Sequence, residues 1–195
     1  MPGHQHIFNK YASAHFIEGG CFKGESIEMM RQVPGSTSIK SIEIHEPYYL
    51  DCVQKFKNDY RVQLYHGRTE ELLEVAIAQT QNLIQNLESE HQLMNFYRRI
   101  TFWLDAHGSG PGTPSSENIC PLLIELEIIK KSGRKNDIIL IDDIRCCNTE
   151  LFEDSFNGRI TKEMLESKVR EINPNYNIMY EDSWERSDIM CCYIK

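Results

Sequence analysis

Five short aliphatic runs, each closed by glycine or by polar and acidic residues, constrain this chain more than any other feature. They fall at 14–17, 38–44, 61–65, 101–104 and 137–141, and their length suits buried strands. The last, nearly all aliphatic and ending at Asp142-Asp143, is of the kind found at the centre of a parallel sheet. Helical patterns separate the runs. One covers 25–31, opened by Gly24 and followed by the Pro34-Gly35 break; another covers 47–58, with Tyr49, Leu50, Val53 and Phe56 on one stripe. A long polar segment at 70–99 carries Leu72, Leu73, Ala76, Ile77, Leu83, Ile84 and Leu87 at helical intervals and predicts one long helix or two pieces. Further helices are predicted at 119–131, after a Gly/Ser/Pro-rich loop at 108–116, and at 164–172. Two final strands, 176–180 and 189–194, flank a short polar stretch that favours an antiparallel hairpin. The pattern is a single α/β domain over 1–195: a doubly wound, seven-stranded, mostly parallel sheet with a C-terminal antiparallel hairpin. Its ligand belongs outside the carboxyl ends of the strands.

The net charge of -8 and pI near 5.4 argue against a nucleic-acid partner, which would need a basic patch to displace counterions. A small or locally recognised substrate fits better. No apolar stretch approaches the ~20 residues that span a bilayer, and 1–10 has no secretory-signal pattern. Seven cysteines, four of them in the adjacent pairs Cys146-Cys147 and Cys191-Cys192, point to a reducing, cytoplasmic setting. They lack the spacing of a zinc site. His4, His6 and His15 lie in what reads as a frayed N-terminal arm and are set aside as ligands.

Every residue with chemical potential stands where a strand gives way to a loop: 18–24, Glu43, 67–69, 105–107 and Asp142-Asp143. Such residues converge on one crevice at the topological switch point. In the first turn Gly19, Gly20 and Gly24 let the backbone bend sharply and approach a ligand, although their spacing is not that of a dinucleotide fingerprint; strand-to-helix geometry alone is the plainer reading. Glu43 closes the second strand about 25 residues after Glu18, near the ~20-residue interval at which an acid grips ribose hydroxyls. Glu46 is an alternative for that role, and an ion pair of Glu43 with Lys40 is the simpler account.

The run Phe16-Ile17-Glu18-Gly19-Gly20-Cys21-Phe22-Lys23-Gly24-Glu25-Ser26 resembles the first motif of class I S-adenosylmethionine-dependent methyltransferases, E-x-G-x-x-x-G, and Ser41-Ile42-Glu43 resembles their second. Gly67-Arg68-Thr69 falls where the family often has Gly-Asp-Ser, and Phe102-Trp103-Leu104-Asp105 and Ile139-Leu140-Ile141-Asp142-Asp143 resemble its fourth and fifth strand ends. Trp103-Leu104-Asp105-Ala106-His107 with Cys120-Pro121-Leu122-Leu123 is similar to a bacterial subgroup, several of whose members modify polysaccharides or natural products. The resemblance covers nearly the whole chain and departs from the family pattern at Phe22, in place of a middle glycine, and at Arg68, in place of an acid.

The resemblance implies a Rossmann-like methyltransferase fold and S-adenosylmethionine as cofactor. By it, Glu18, Gly19, Gly20 and Gly24 line the methionine side, Glu43 holds the ribose, Arg68 and Thr69 lie beside adenine, and Asp105 faces the sulfonium. Asp105, Asp142 and Asp143 resemble the magnesium-binding acids of macrocin-type sugar O-methyltransferases, which would orient a substrate diol. The plainer alternative has one of the two adjacent aspartates capping a helix. His107 is the candidate general base, or a structural hydrogen-bonder in its loop. The expected reaction is O-methylation of a small molecule or sugar. Two other readings stay open: aminopropyl transfer, and a non-catalytic cofactor- or partner-binding domain. An acceptor pocket built by the 108–116 loop, by the long third helix or by a second subunit leaves a homodimer among the expectations.

Overall fold

The computed structural model describes residues 4–88, 94–107 and 120–195. In chain order the elements are α1 (Gln5–Tyr11), β1 (His15–Gly19), α2 (Glu25–Arg31), β2 (Ser38–Glu43), α3 (Glu46–Phe56) and β3 (Val62–His66). Then follow α4 (Thr69–Glu88), α5 (Asn95–Arg98), β4 (Ile100–Leu104), α6 (Leu122–Lys131) and β5 (Ile138–Ile141). After two short 3-10 turns come β6 (Glu153–Asp154), β7 (Gly158–Arg159), α7 (Lys162–Ile172), β8 (Asn177–Glu181) and β9 (Ile189–Tyr193). The seven-stranded sheet has the order β3-β2-β1-β4-β5-β9-β8. Its first five strands are parallel, and β9 runs antiparallel to both β5 and β8. The expected doubly wound sheet and terminal hairpin are both present.

Strand side chains alternate between two cores, as the two-residue period requires. Phe16, Ile39, Trp103 and Leu140 face α1, α2 and α3, while Ile17, Ile42, Phe102 and Ile139 face α4, α6 and α7. β1, β4 and β5 are buried on both faces; β4 and β5 read as nearly continuous apolar runs, while β1 buries His15 and Glu18 among its apolar residues. The same alternation sends the last residues of β1 to opposite sides: Glu18 toward α2, and Gly19 toward α4 and α6. Chain order reverses between β1 and β4, so their carboxyl ends form the switch-point crevice.

One expectation changes, one of two alternatives is settled, and one falls outside the described residues. The 70–99 helix is two pieces, α4 and α5, with 89–93 outside the described residues. The 108–116 loop and the start of the 119–131 helix also lie outside them, and α6 is described from Leu122. The N-terminal arm is not frayed: residues 5–11 form α1, which buries Ile7, Phe8 and Tyr11. Phe8 meets Phe16 and Trp103 edge-to-face at ring distances of 5.4 and 4.9 Å. His15 sits fully buried in β1, and the His4 ring packs at a tilt against Trp103, 5.0 Å away. A seven-residue helix without a capping side chain or a first-turn acid has little stability of its own; burial of its aromatic face against Trp103 holds it. A small hairpin, β6–β7, was not anticipated.

Replacing Phe8 with alanine is expected to cost about 3–5 kcal/mol in urea-induced unfolding, as for a fully buried phenylalanine. An arm that merely frayed would show a change within about 0.5 kcal/mol.

Candidate active site

The carboxyl ends of β1, β2, β4 and β5 are tied together by backbone bonds that extend the ladder past the strands. Gly20 N–H donates to Ile42 C=O (2.9 Å), Asp105 N–H to Gly19 C=O (3.2 Å), Gly67 N–H to Glu43 C=O (2.9 Å) and Asp142 N–H to Leu104 C=O (3.2 Å). The glycine turn lies against this edge. Gly20 adopts φ +81°, and a Cβ there would stand 2.8 Å from the Asp105 carbonyl oxygen; Gly24 adopts φ +74°, and its Cβ would strike the Phe56 ring at 2.6 Å. Both the left-handed backbone and the contact require glycine. Phe22, at φ +46°, holds a similar conformation with a side chain, which packs edge-to-face on Tyr48 at 4.7 Å. Beneath the turn, the Cys21 and Cys52 sulfurs are 3.6 Å apart.

Glu43 organises the turn. Its Oε2 accepts the N–H groups of Cys21 (3.1 Å) and Phe22 (2.9 Å), and its Oε1 accepts that of His45 (2.8 Å). Of the roughly four acceptor positions of a carboxylate, one is left for a ribose hydroxyl. Glu18 lies behind the turn, fully buried, and accepts hydrogen bonds from Ser41 Oγ (2.6 Å) and Ser26 Oγ. Burial pushes its pKa up to about 7, the two serines easing the shift and the nearby Glu43 charge adding to it. Arg68 is half-buried at the crevice rim, 4.0 Å from Glu71, and Thr69 is buried as the first residue of α4. Beside them the His66 and Tyr49 rings stack at 5.1 Å.

Across the glycine turn, at the ends of β4 and β5, stands the acidic group. His107 Nε2 is 2.9 Å from Asp143 Oδ2 and 3.5 Å from Asp105 Oδ1. The imidazole is buried and rests edge-on against Phe152 at 5.0 Å. Asp143, in the left-handed region at φ +55°, also meets Arg145 Nη1 at 2.5 Å. Burial works to raise its pKa, but the hydrogen bond to His107 and the charges of His107 and Arg145 outweigh it and hold Asp143 below the usual carboxylate range. Asp142 is pushed up to about 7, by burial first and by the Asp143 charge second. Asp105 is held well above its ordinary value by enclosure and by the surrounding carboxylates of Asp142, Asp143, Glu18 and Glu125. It is nonetheless the most accessible of the group, with a third of its side chain exposed.

The three acids expected to share one ion do not form a single ligand group. The described residues gather as Asp105, His107 and Asp143 on one side, and as Asp142, Asp143 and Asp188 on the other. An ion on Asp143 would have to displace Arg145 and His107, and Asp142 Oδ1 already accepts the Asp143 N–H (2.8 Å). Asp105 therefore joins Asp143 through the His107 group, whereas Asp142 joins it through Asp188.

Sequence reasoning missed three residues here and set a fourth, His4, aside. Arg145 and buried Asp188 pair with each other, and the Arg145 N–H also donates to Asp188 Oδ1 (3.0 Å). His4 Nε2 reaches Asp142 Oδ2 at 3.6 Å, brought there by α1. Glu125 is fully buried on α6. Only Glu125 left a signal: it falls in phase with Leu122, Leu126 and Ile129 on the apolar stripe.

Glu18, Glu125 and Asp142 all titrate near 7 in the fold, above their unfolded values. The folded state therefore binds more protons than the unfolded one across this interval, so their contribution is full below about pH 4 and is lost as pH rises toward 7. Depressed Asp143 acts only at more acid pH. Urea midpoints are expected to fall between pH 5 and pH 8, with a shallower fall in Glu18→Gln; moving one such carboxyl from 4.5 to about 7 costs on the order of 3 kcal/mol. Gly20→Ala is expected to lower Tm by several degrees, since the new Cβ meets backbone rather than a mobile side chain.

No protein-family model matches the chain, and no curated protein matches it in sequence. Solved structures do match it in shape. A methyltransferase of Podospora anserina, crystallised with SAH bound, aligns over 98% of this chain and 76% of its own, with a TM-score of 0.55 and 13% identity. An O-methyltransferase from Bacillus cereus in complex with SAH aligns over 97% and 78%, with a TM-score of 0.51 and 13% identity. The strand order, the reversed β9 and the placement of the loops at the carboxyl edge agree with this likeness, and the chain has the Rossmann-like fold of the class I S-adenosylmethionine-dependent methyltransferases.

Proposed function

We propose that the protein transfers a methyl group from S-adenosylmethionine to an oxygen of a small molecule or sugar. The observation that carries this reading is the placement of Asp105, backed by the His107–Asp143 pair, directly across the glycine turn, where Gly20 leaves space only because it lacks a side chain. The cofactor supplies an electrophilic methyl group on a positively charged sulfur. The chain supplies carboxylates that favour that charge, a turn that admits the ligand to the strand ends, and a proton acceptor.

Asp105 is the group that faces the crevice. A carboxyl held above its ordinary pKa is a stronger base when ionised, and that suits removal of a proton from an acceptor hydroxyl near neutral pH. His107, buried behind it, holds Asp105 and Asp143 in register, and Asp143 fixes the imidazole through Nε2. Arg145 and Asp188 lock Asp143 in turn. Holding the acceptor oxygen about 3 Å from the methyl carbon in line with the sulfur supplies much of the rate. No step is routed through magnesium, because its expected ligands are engaged with one another and with Arg145.

A second reading, a nucleoside-binding domain without turnover, draws on Glu43, whose carboxylate is largely occupied by turn amides, and on Phe22 at a glycine position. Calorimetry with S-adenosylmethionine and its demethylated product separates the two. Micromolar binding, weakened by Glu43→Ala through release of the turn, is expected; absence of binding to either compound ends the methyltransferase reading. With an acceptor in hand, Asp105→Asn is expected to lower kcat by about 10²- to 10⁴-fold. His107→Gln is expected to lower kcat about tenfold or more at unchanged KM, and addition of a chelator is expected to leave turnover unchanged. No helix among the described residues is long and apolar enough to cross a membrane.

A further inference from the structure

We propose that Cys21 and Cys52 form a reversible redox-modification site, a dithiol that a peroxide converts to a disulfide and that thereby reshapes the glycine turn. The effect on ligand affinity rests on the cofactor reading above; formation of the crosslink does not.

The two residues come from different elements. Cys21 stands in the glycine turn after β1, and Cys52 lies midway along α3. Their sulfurs touch at 3.6 Å, with the Cys21 thiol donating to Cys52. By contrast, Cys191 and Cys192 point to opposite faces of β9, and Cys146 and Cys147 are chain neighbours at the end of a 3-10 turn. The contact also divides the thiols by reactivity. The hydrogen bond from Cys21 lowers the Cys52 pKa and raises that of Cys21, whereas burial raises the other five. Cys52 is the one cysteine made more acidic, so it is the nucleophile and Cys21 the resolving thiol. Both side chains are buried, yet Phe22, whose carbonyl lies 3.5 Å from Cys52 Sγ and 3.8 Å from Cys21 Sγ, is 51% exposed and held at φ +46°. A left-handed phenylalanine is costly to keep, so displacement of Phe22 is the route by which a small oxidant reaches the pair.

With a peroxide as oxidant the step balances. The Cys52 thiolate attacks one peroxide oxygen and the O–O bond breaks; the departing hydroxide takes up the proton that Cys52 released, leaving a Cys52 sulfenic acid and one water. The Cys21 sulfur then attacks the Cys52 sulfur, the S–O bond breaks, and the hydroxide leaves with the Cys21 proton as a second water. The two sulfurs lose two electrons and the peroxide gains two. A reducing dithiol reverses the bond by exchange.

The disulfide draws the sulfurs from 3.6 Å to about 2 Å. The turn has little slack for that movement. A Cβ on Gly24 would already stand 3.1 Å from Cys52 Sγ, and the Cys21 and Phe22 amides are fixed to Glu43. The disulfide also has no hydrogen to offer the Phe22 carbonyl. The turn therefore shifts against Glu43, and the crevice that it shapes loses affinity.

The full chain is treated with hydrogen peroxide, freed of it, alkylated and digested without reductant. A peptide pair joining Cys21 to Cys52 is expected, absent after dithiothreitol and absent in Cys52→Ser and Cys52→Ala. By calorimetry, oxidised wild type is expected to bind S-adenosylhomocysteine about tenfold more weakly than reduced protein, at a Tm no lower, with recovery in dithiothreitol. The two variants are expected to bind equally before and after peroxide. Alkylation of both Cys21 and Cys52 in peroxide-treated wild type overturns the site. A crosslink that leaves affinity unchanged, or lowers it only with a fall in Tm, overturns its control of the turn. Failure of the reduced protein to bind overturns the cofactor reading and that control together, and the peptide map still decides the crosslink.

Discussion

The site depends on one carboxylate. Glu43 gathers the N–H groups of Cys21, Phe22 and His45, three donors from two loops that would otherwise point away from the sheet edge without partners. Backbone amides aimed at a single anion make a stiff concavity, and here the anion belongs to the protein. The turn is thereby shaped in the free state, and its left-handed residues at 20, 22 and 24 are held by something stronger than their own preference. The same bonds explain how a phenylalanine tolerates a glycine conformation: its N–H is anchored to Glu43 and its ring is braced by Tyr48.

Around this anchor the molecule concentrates acid. Glu18, Asp105, Glu125, Asp142 and Asp143 approach one another at the carboxyl edge, and Arg145 pairs with Asp143. Burial raises the proton affinity of all but Asp143, which His107 and Arg145 hold below the usual carboxylate range. Two neighbouring carboxyls so treated part in pKa, and that separation is what assigns an acceptor and a stabiliser in acid–base chemistry. An electropositive ligand entering here relieves repulsion as well as making contacts.

Much of this was legible in the chain. The doubly wound sheet followed from five aliphatic runs in alternation with helices, and the terminal hairpin from the two runs after 172, because strands buried on both faces are predominantly apolar. The strand ends named the site residues, and the structure brings Gly20, Asp105, His107 and Asp143 together. What sequence reasoning missed is tertiary in origin. Residues 5–11 carry too weak a helical pattern to be seen without the Trp103 surface they cover. The pairing of Asp143 with Arg145 and Asp188 depends on β9 returning beside β5, so local spacing is silent about it. The expected three-acid metal group fails because Asp142 and Asp143, adjacent in sequence, direct their carboxylates to different partners. Glu125 was visible in the helical phase of α6 but carries no spacing motif.

The lack of room for a Cβ between Gly20 and the Asp105 carbonyl gives the site a history as well as a shape. A side chain at 20 is excluded by main chain at 105, so position 20 cannot vary until the backbone after β4 has moved. Changes in the two loops are therefore coupled, and their effects should not add. A lineage altering the loop after Asp105 to take a new acceptor could do so freely only in directions that widen this gap. The glycine turn thus sets a one-sided boundary on how the acceptor side of the crevice diversifies.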